Sequence, residues 1–179
     1  MSAVVYNTYY TLYMQQGVNL YLSWKVPLVY WAYLYDSPKD LWFMKVNGTN
    51  SGPVMTGDVL QIACHLAVAG RVAFLQSRGL NDWTVEWASA TQSTVMQWQI
   101  WTDADRTPGL PINVDDTVYF TNVGYDNNLL IQYLPQYPDY LTTGPGTVPC
   151  QFQIQPEGGS QLARSGGAVP KDTLKEVMA

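Results

Sequence analysis

The chain has one histidine, His65, directly after Cys64, one of its two cysteines. Cysteine and histidine together can build a thiolate nucleophile. In a strand, however, adjacent side chains point to opposite faces, so these two cannot meet. No G-x-S-x-G, H-E-x-x-H or phosphate-binding loop offers another nucleophile or metal site. Cys64 and Cys150 form no C-x-x-C and no metal-ligand spacing, and are expected as reduced, buried thiols. Asp103 and Asp105 make a D-x-D, but no further acid follows at calcium-loop spacing, so a solvated turn is expected. Asp58 and Asp116 stand just before apolar alternation, where capping a turn is the ordinary role. These residues lead us to expect a non-catalytic protein without metal or cofactor.

Aromatic residues are the surplus. Trp (7) and Tyr (13) far outnumber Phe (4), and both combine a large apolar body with a polar tip. They gather in three places. Trp24, Tyr30, Trp31, Tyr33 and Tyr35 form the first group. Asp82, Trp83 and Trp87 lie at and after the turn Arg78–Asp82. Tyr125, Asn127, Asn128, Tyr133, Tyr137 and Tyr140 form the third. An exposed ring stacks on the apolar face of a sugar while a nearby Asp or Asn bonds its hydroxyls. On that chemistry the candidate ligand-binding residues are Asp82, Trp83, Trp87, Asn127, Asn128, Tyr133 and Tyr137. The alternating set Trp31, Tyr33, Tyr35 reads instead as a half-buried strand face. The same ring types are enriched in protein–protein hot spots, which keeps a protein partner open.

The elements that must position these rings are strands. Charged residues are 13% of the chain, about half the usual ~25%. At 179 residues one domain with a real core is expected. Alternation and β-formers dominate Tyr10–Met14, Val59–Ile62, Val72–Leu75, Trp83–Trp87, Val118–Phe120 and Leu129–Ile131. Turn residues separate them: Asp36-Ser-Pro38, Asn47-Gly48, Ser51-Gly-Pro53, Pro108-Gly109, Asp126-Asn-Asn128 and Gly144-Pro-Gly146. A phrase also recurs. Pro53-Val-Met-Thr-Gly-Asp58-Val-Leu-Gln-Ile62 is answered by Pro111-Ile-Asn-Val-Asp-Asp116-Thr-Val-Tyr-Phe120. Each is followed by strand, Gly-containing turn and strand, and Tyr9–Leu22 is a more degenerate third copy. Each copy closes on an aromatic alternation, at Trp42-x-Met44, Trp98-x-Ile100 and Phe152-x-Ile154. Such a period marks a repeated supersecondary unit.

Three units of four strands resemble a β-trefoil. The string from Pro53 to Ser77 resembles repeats of the fascin-like and MIR-like trefoils. Gln97-Trp-Gln-Ile100 is similar to the Gln-x-Trp core element of ricin-B-type lectins, at altered spacing. The resemblance covers residues 1–156 and implies an all-β trefoil, with repeats of about 1–52, 53–110 and 111–156. Ricin-B-type sugar sites pair an early Asp with a later aromatic and Asn; the first copy here lacks the Asp, so no sugar-site residue is carried over. Residues 157–170 are Gly/Ser-rich and read as a linker, and 171–179 as a short flexible or helical tail.

Net charge is −5, with nine basic residues scattered singly. That lacks the basic stripe that nucleic acid requires. The N-terminus shows no basic n-region or aliphatic h-region, and the apolar stretch Val26–Tyr35 is too short to span a membrane. A cytoplasmic protein, or one released without a recognisable signal, is expected. The reading that follows is a lectin-like binding protein whose partner is a glycan or glycoprotein. A trefoil hydrolase inhibitor acting through Asp103–Leu110 or Gln136–Thr143 is the alternative, as is the receptor-binding component of a toxin or defence protein. A protein partner and self-association stay open.

Overall fold

The computed structural model describes residues 2–14, 20–24, 31–66, 71–80, 85–89, 93–134, 137–146 and 148–157. The linker and tail from residue 158 onward lie outside them. Among the described residues there are twelve strands. The first four are β1 (Tyr10–Met14), β2 (Leu20–Trp24), β3 (Ala32–Tyr35) and β4 (Leu41–Lys45). Next come β5 (Val59–Leu66), β6 (Arg71–Ser77), β7 (Val85–Ala88) and β8 (Trp98–Trp101). The last are β9 (Thr117–Asn122), β10 (Asn128–Leu134), β11 (Tyr137–Gly144) and β12 (Phe152–Pro156). Two short 3-10 turns, Thr94–Met96 and Val123–Tyr125, are the helical elements in these residues. None is long and apolar enough to cross a membrane.

Six strands close a ring by antiparallel pairing, in the order β1-β4-β5-β8-β9-β12 and back to β1. Closure leaves these strands no exposed edge. The other six pair as hairpins β2–β3, β6–β7 and β10–β11. The hairpins meet one another through Tyr33↔Tyr140 and the bridges Trp31↔Glu86 and Leu80↔Thr143. A six-stranded barrel covered by three hairpins is a β-trefoil, as the resemblance implied.

At the other end of the barrel, three chain segments converge. Val4 N–H donates to Ile112 O at 2.8 Å, Ile112 N–H to Val54 O at 3.0 Å, and Val54 N–H to Val4 O at 2.8 Å. The cycle satisfies three backbone pairs that burial would otherwise leave stranded, and all three side chains are fully buried. Three residues on, Asn7 (φ 57°), Gly57 (φ 82°) and Asp115 (φ 74°) all take the left-handed conformation. Their N–H groups donate to the carbonyls of Phe43, Ile100 and Ile154. Asp58 accepts from Met55 N–H at 2.9 Å, and Asp116 from Asn113 N–H at 2.7 Å, as expected of turn-forming acids. The first segment has Thr8 at that place, and the Tyr10 hydroxyl accepts from Val5 N–H at 2.9 Å instead.

The core runs up the barrel axis from these segments. Leu12, Ile62, Phe120, Phe43, Ile100 and Ile154 are all at most 1% exposed and belong to one cluster. One sequence expectation needs correction. Trp42-x-Met44 does not correspond to Trp98-x-Ile100 and Phe152-x-Ile154. The pairings Tyr10↔Leu41, Leu60↔Trp98 and Val118↔Phe152 make Leu41-x-Phe43 the counterpart. A one-residue slip exchanges the faces of a strand. Trp42 and Met44 therefore leave the axial core and build a second cluster with Ala63, Val72, Phe74 and Met96.

Candidate functional site

Cys64 and His65 lie on opposite faces of β5, as their adjacency required. Cys64 belongs to the axial cluster, and burial pushes its thiol well above the usual range. A thiol held protonated in this way is a poor nucleophile. His65 packs its ring 5.0 Å from Trp42 on the other side. Cys150 is likewise buried and unbridged.

Of the predicted sugar-binding residues, the structure takes Trp87 into the core. Trp87 is 1% exposed, because β7 turns Val85 and Trp87 inward and Glu86 outward. Its Nε1 donates to Ser23 O at 3.1 Å, and its ring meets Trp24 edge-on at 6.1 Å. A ring with no exposed face cannot stack on a sugar, so Trp87 is a core residue. Asp82 and Trp83 lie outside the described residues. Asn127 is exposed and left-handed (φ 56°). Asn128 donates its side-chain amide to Tyr125 O at 2.7 Å, which closes the turn into β10. Tyr133 and Tyr137 stand on β10 and β11 beside a bulge between Gln132 and Leu134; their side chains lie outside the described residues. Bulges re-aim side chains and are common beside functional sites.

A different surface brings aromatic rings together. In an antiparallel pair, residues directly opposite share a face. Tyr13 opposes Tyr21, and Tyr21 opposes Tyr35. Ser23 opposes Tyr33, and Tyr33 opposes Tyr140. The axial cluster takes Leu12, Leu22, Ala32 and Leu34 from the same strands, so these tyrosines occupy the outer face. The alternating set Trp31, Tyr33, Tyr35 is thus a strand face, as read from the sequence. Tyr33 is 5% exposed while Trp31 and Tyr140 keep part of their surface in water. Trp31 and Tyr33 lie near-parallel, 22° apart with centroids at 6.3 Å. Tyr140 stands against them, 5.9 Å and 62° from Trp31 and 4.7 Å from Tyr33. Trp31 and Tyr140 are thus the partly exposed rings of a corner, and Tyr33 is buried against both.

Polar groups edge this corner. Trp31 bridges Glu86, and Glu86 opposes Gln76 across β6 and β7. The Glu86 carboxylate accepts from Gln76 Nε2 at 3.5 Å and pairs with Arg78 at 3.5 Å. Burial pushes the Tyr33 hydroxyl up from its ordinary range, and its hydrogen bond with Tyr140 and the Asp139 charge push in the same direction. Alternation in β3 signalled the Trp31–Tyr33 half of the corner. Nothing local signalled that β11 would bring Tyr140 beside it.

The loop after β8 is a second exposed feature. Asp103 Oδ1 accepts from the N–H and hydroxyl of Thr107, each at 3.3 Å. The D-x-D is thus a turn. The Tyr119 hydroxyl donates to Asp103 O at 2.8 Å. Buried Thr56 donates its hydroxyl to Thr107 O at 2.6 Å and accepts from Leu110 N–H at 2.9 Å. Arg106 (φ 55°) and Gly109 (φ 80°) bend the loop twice. A segment that docks into a cleft by strand addition is extended, and Asp103–Leu110 is a pair of turns. The other candidate inhibitor segment is no loop over its described part: Tyr137–Thr143 lies in β11.

No protein-family model matches the chain, and no curated protein matches it in sequence. Solved structures do match in shape. The ligand-binding domain of botulinum neurotoxin serotype D, in complex with N-acetylneuraminic acid, superposes with a TM-score of 0.61 at 6% identity. That match covers 85% of this chain and 42% of the toxin chain, so this chain spans less than half of that domain's length. The SDF2-like protein from Arabidopsis thaliana superposes with a TM-score of 0.60 at 11% identity, covering 85% of this chain and 94% of that one. The receptor-binding domain of a C/D mosaic botulinum neurotoxin follows with a TM-score of 0.53 at 8% identity. At these identities the likeness is one of fold.

Proposed function

We propose that this chain is a non-catalytic, lectin-like binding module that recognises a glycan or the glycan of a glycoprotein. The observation that carries the reading is the corner of the partly exposed rings Trp31 and Tyr140, packed on Tyr33 and edged by Glu86 and Gln76. Rings of this kind cover the apolar face of a sugar, while carboxylate and amide groups bond its hydroxyls. The fold agrees with this use, since a trefoil-containing neighbour is a ligand-binding domain solved with N-acetylneuraminic acid. Asn127 and Asn128 at the entry to β10, Tyr133 and Tyr137 on the β10–β11 hairpin, and Asp82 and Trp83 are second candidates for the same chemistry. A broad glycan array tests the proposal. Binding is expected, with loss on Trp31→Ala or Tyr140→Ala; silence across the array overturns it.

A second reading, a protein-binding trefoil, rests on the loop from Asp103 to Leu110. Thr56 and Tyr119 hold it in place before any partner arrives, which lowers the entropy lost on docking. Leu110 is 46% exposed at its end. Co-purification of a partner with the wild type but not with Thr56→Val favours this reading.

A further inference from the structure

Resting on the carbohydrate reading, we infer that the corner between β3 and β11 takes an uncharged oligosaccharide and disfavours sialylated or sulfated ones. Shape supplies the first half. Trp31 and Tyr140, the two partly exposed rings, stand 5.9 Å apart at 62°, with the buried Tyr33 packed against both. Two partly exposed rings set at this angle meet two sugar units better than one, so a chain of sugars covers them better than a single pyranose.

Charge supplies the second half. Arg78, a cation at this rim, is engaged by Glu86 at 3.5 Å, so the pair is neutral as a unit. Asp139 is exposed at the start of the Tyr140 strand, and its charge reaches Tyr33. The whole chain carries −5. An anionic sugar at Tyr140 meets the like charge of the adjacent Asp139 with no free cation of the Arg78–Glu86 pair to offset it, which weakens its binding modestly. Neutral hydroxyls gain instead. Glu86 has two oxygens with about four acceptor sites, and its bonds to Gln76 and Arg78 are long at 3.5 Å. Hydroxyl donors can use the remaining capacity without breaking them. This chain would thus differ in ligand from the neighbour solved with N-acetylneuraminic acid, despite the shared fold.

The test is an array of neutral oligosaccharides printed beside their sialylated and sulfated derivatives, followed by titration of the best matched pair. Neutral ligands are expected to bind, with charged counterparts weaker by about twofold to fivefold. Trp31→Ala should abolish binding of both. Asp139→Lys changes an exposed position and should narrow the gap without loss of the neutral ligand. Preference for the sialylated member overturns this inference and leaves the carbohydrate reading standing. So does neutral binding that survives both Trp31→Ala and Tyr140→Ala, because the site then lies elsewhere. An unchanged gap in Asp139→Lys overturns the charge argument even where Trp31→Ala fails to fold. Silence on every glycan overturns the carbohydrate reading itself, and this inference with it.

Discussion

The two ends of the barrel use the chain differently. At one end, segments beginning near Ala3, Pro53 and Pro111 close a cycle of backbone hydrogen bonds. There the backbone does the same thing three times while side chains exchange: Val, Val and Ile in the buried place, Asn, Gly and Asp in the left-handed place. At the other end, the β3/β11 corner occurs where two hairpins from distant parts of the chain meet. Its character comes from particular side chains. The contrast shows where a repeat is constrained. Where copies must join each other, geometry is held and residue identity varies within it. Where they need not, each copy can acquire its own surface.

Substitutions can break or sharpen this contrast, beginning with the shared framework. Trp98 is fully buried, with Nε1 donating to Leu75 O at 2.9 Å. Trp98→Ala should cost about 3–5 kcal/mol in urea denaturation; a loss below about 1 kcal/mol would show that the axial core is not the main source of stability. Asp58 accepts from both Met55 N–H and the Tyr6 hydroxyl, the latter at 2.8 Å. Asp58→Ala should cost about 2 kcal/mol by the same measurement. Gly57 is left-handed, and a Cβ there would stand 3.1 Å from Pro108 Cβ. Gly57→Ala should therefore cost about 1–2 kcal/mol, whereas Asn7→Gly, in the equivalent place, keeps the backbone geometry, loses the side-chain hydrogen bond to Asn50 O and should cost less. Equal effects would deny that the two positions share a geometric role.

The corner should respond in the opposite way. Trp31→Ala is expected to lower stability by about 1 kcal/mol or less while removing glycan binding. A large stability loss would assign Trp31 to the framework instead. The finest distinction is read by pH. Tyr6 at the cycle and Tyr33 at the corner are both pushed above the ordinary tyrosine value of 10.0, chiefly by burial. Their unfolded forms ionise first, so stability is complete below about pH 10 and falls as pH rises beyond it. Tyr6→Phe and Tyr33→Phe should each flatten that alkaline fall in denaturation midpoints; a fall unchanged in both would place its source elsewhere.

Much of the framework was legible because its signals are local. Period-two alternation marked the strands, and acids before apolar runs marked Asp58 and Asp116 as turn-formers. The closing strand of the first copy was misplaced by one residue because Leu41-Trp42-Phe43-Met44 is apolar on both faces. Alternation cannot choose a face when every residue qualifies, and only pairing with Tyr10 chose Leu41. The missing Asp of the first copy was legible as an absence, but not the Tyr10 hydroxyl that replaces it from two residues on. The candidate site was less legible. Trp87 looked available because it neighbours a turn, yet its parity with Val85 sends it inward.

By itself, then, the sequence determined a β-rich chain of repeated units, with the acids that shape two of its three recurring turns and the strand face of Trp31, Tyr33 and Tyr35. Those properties depend on neighbours a few residues apart, which any segment carries with it. The tertiary structure alone decided which of the described aromatic rings are core and which are surface, and that Tyr140 and Glu86 reach Trp31. Ring closure and hairpin docking set those contacts between residues far apart along the chain, and no local pattern encodes which distant strand will arrive.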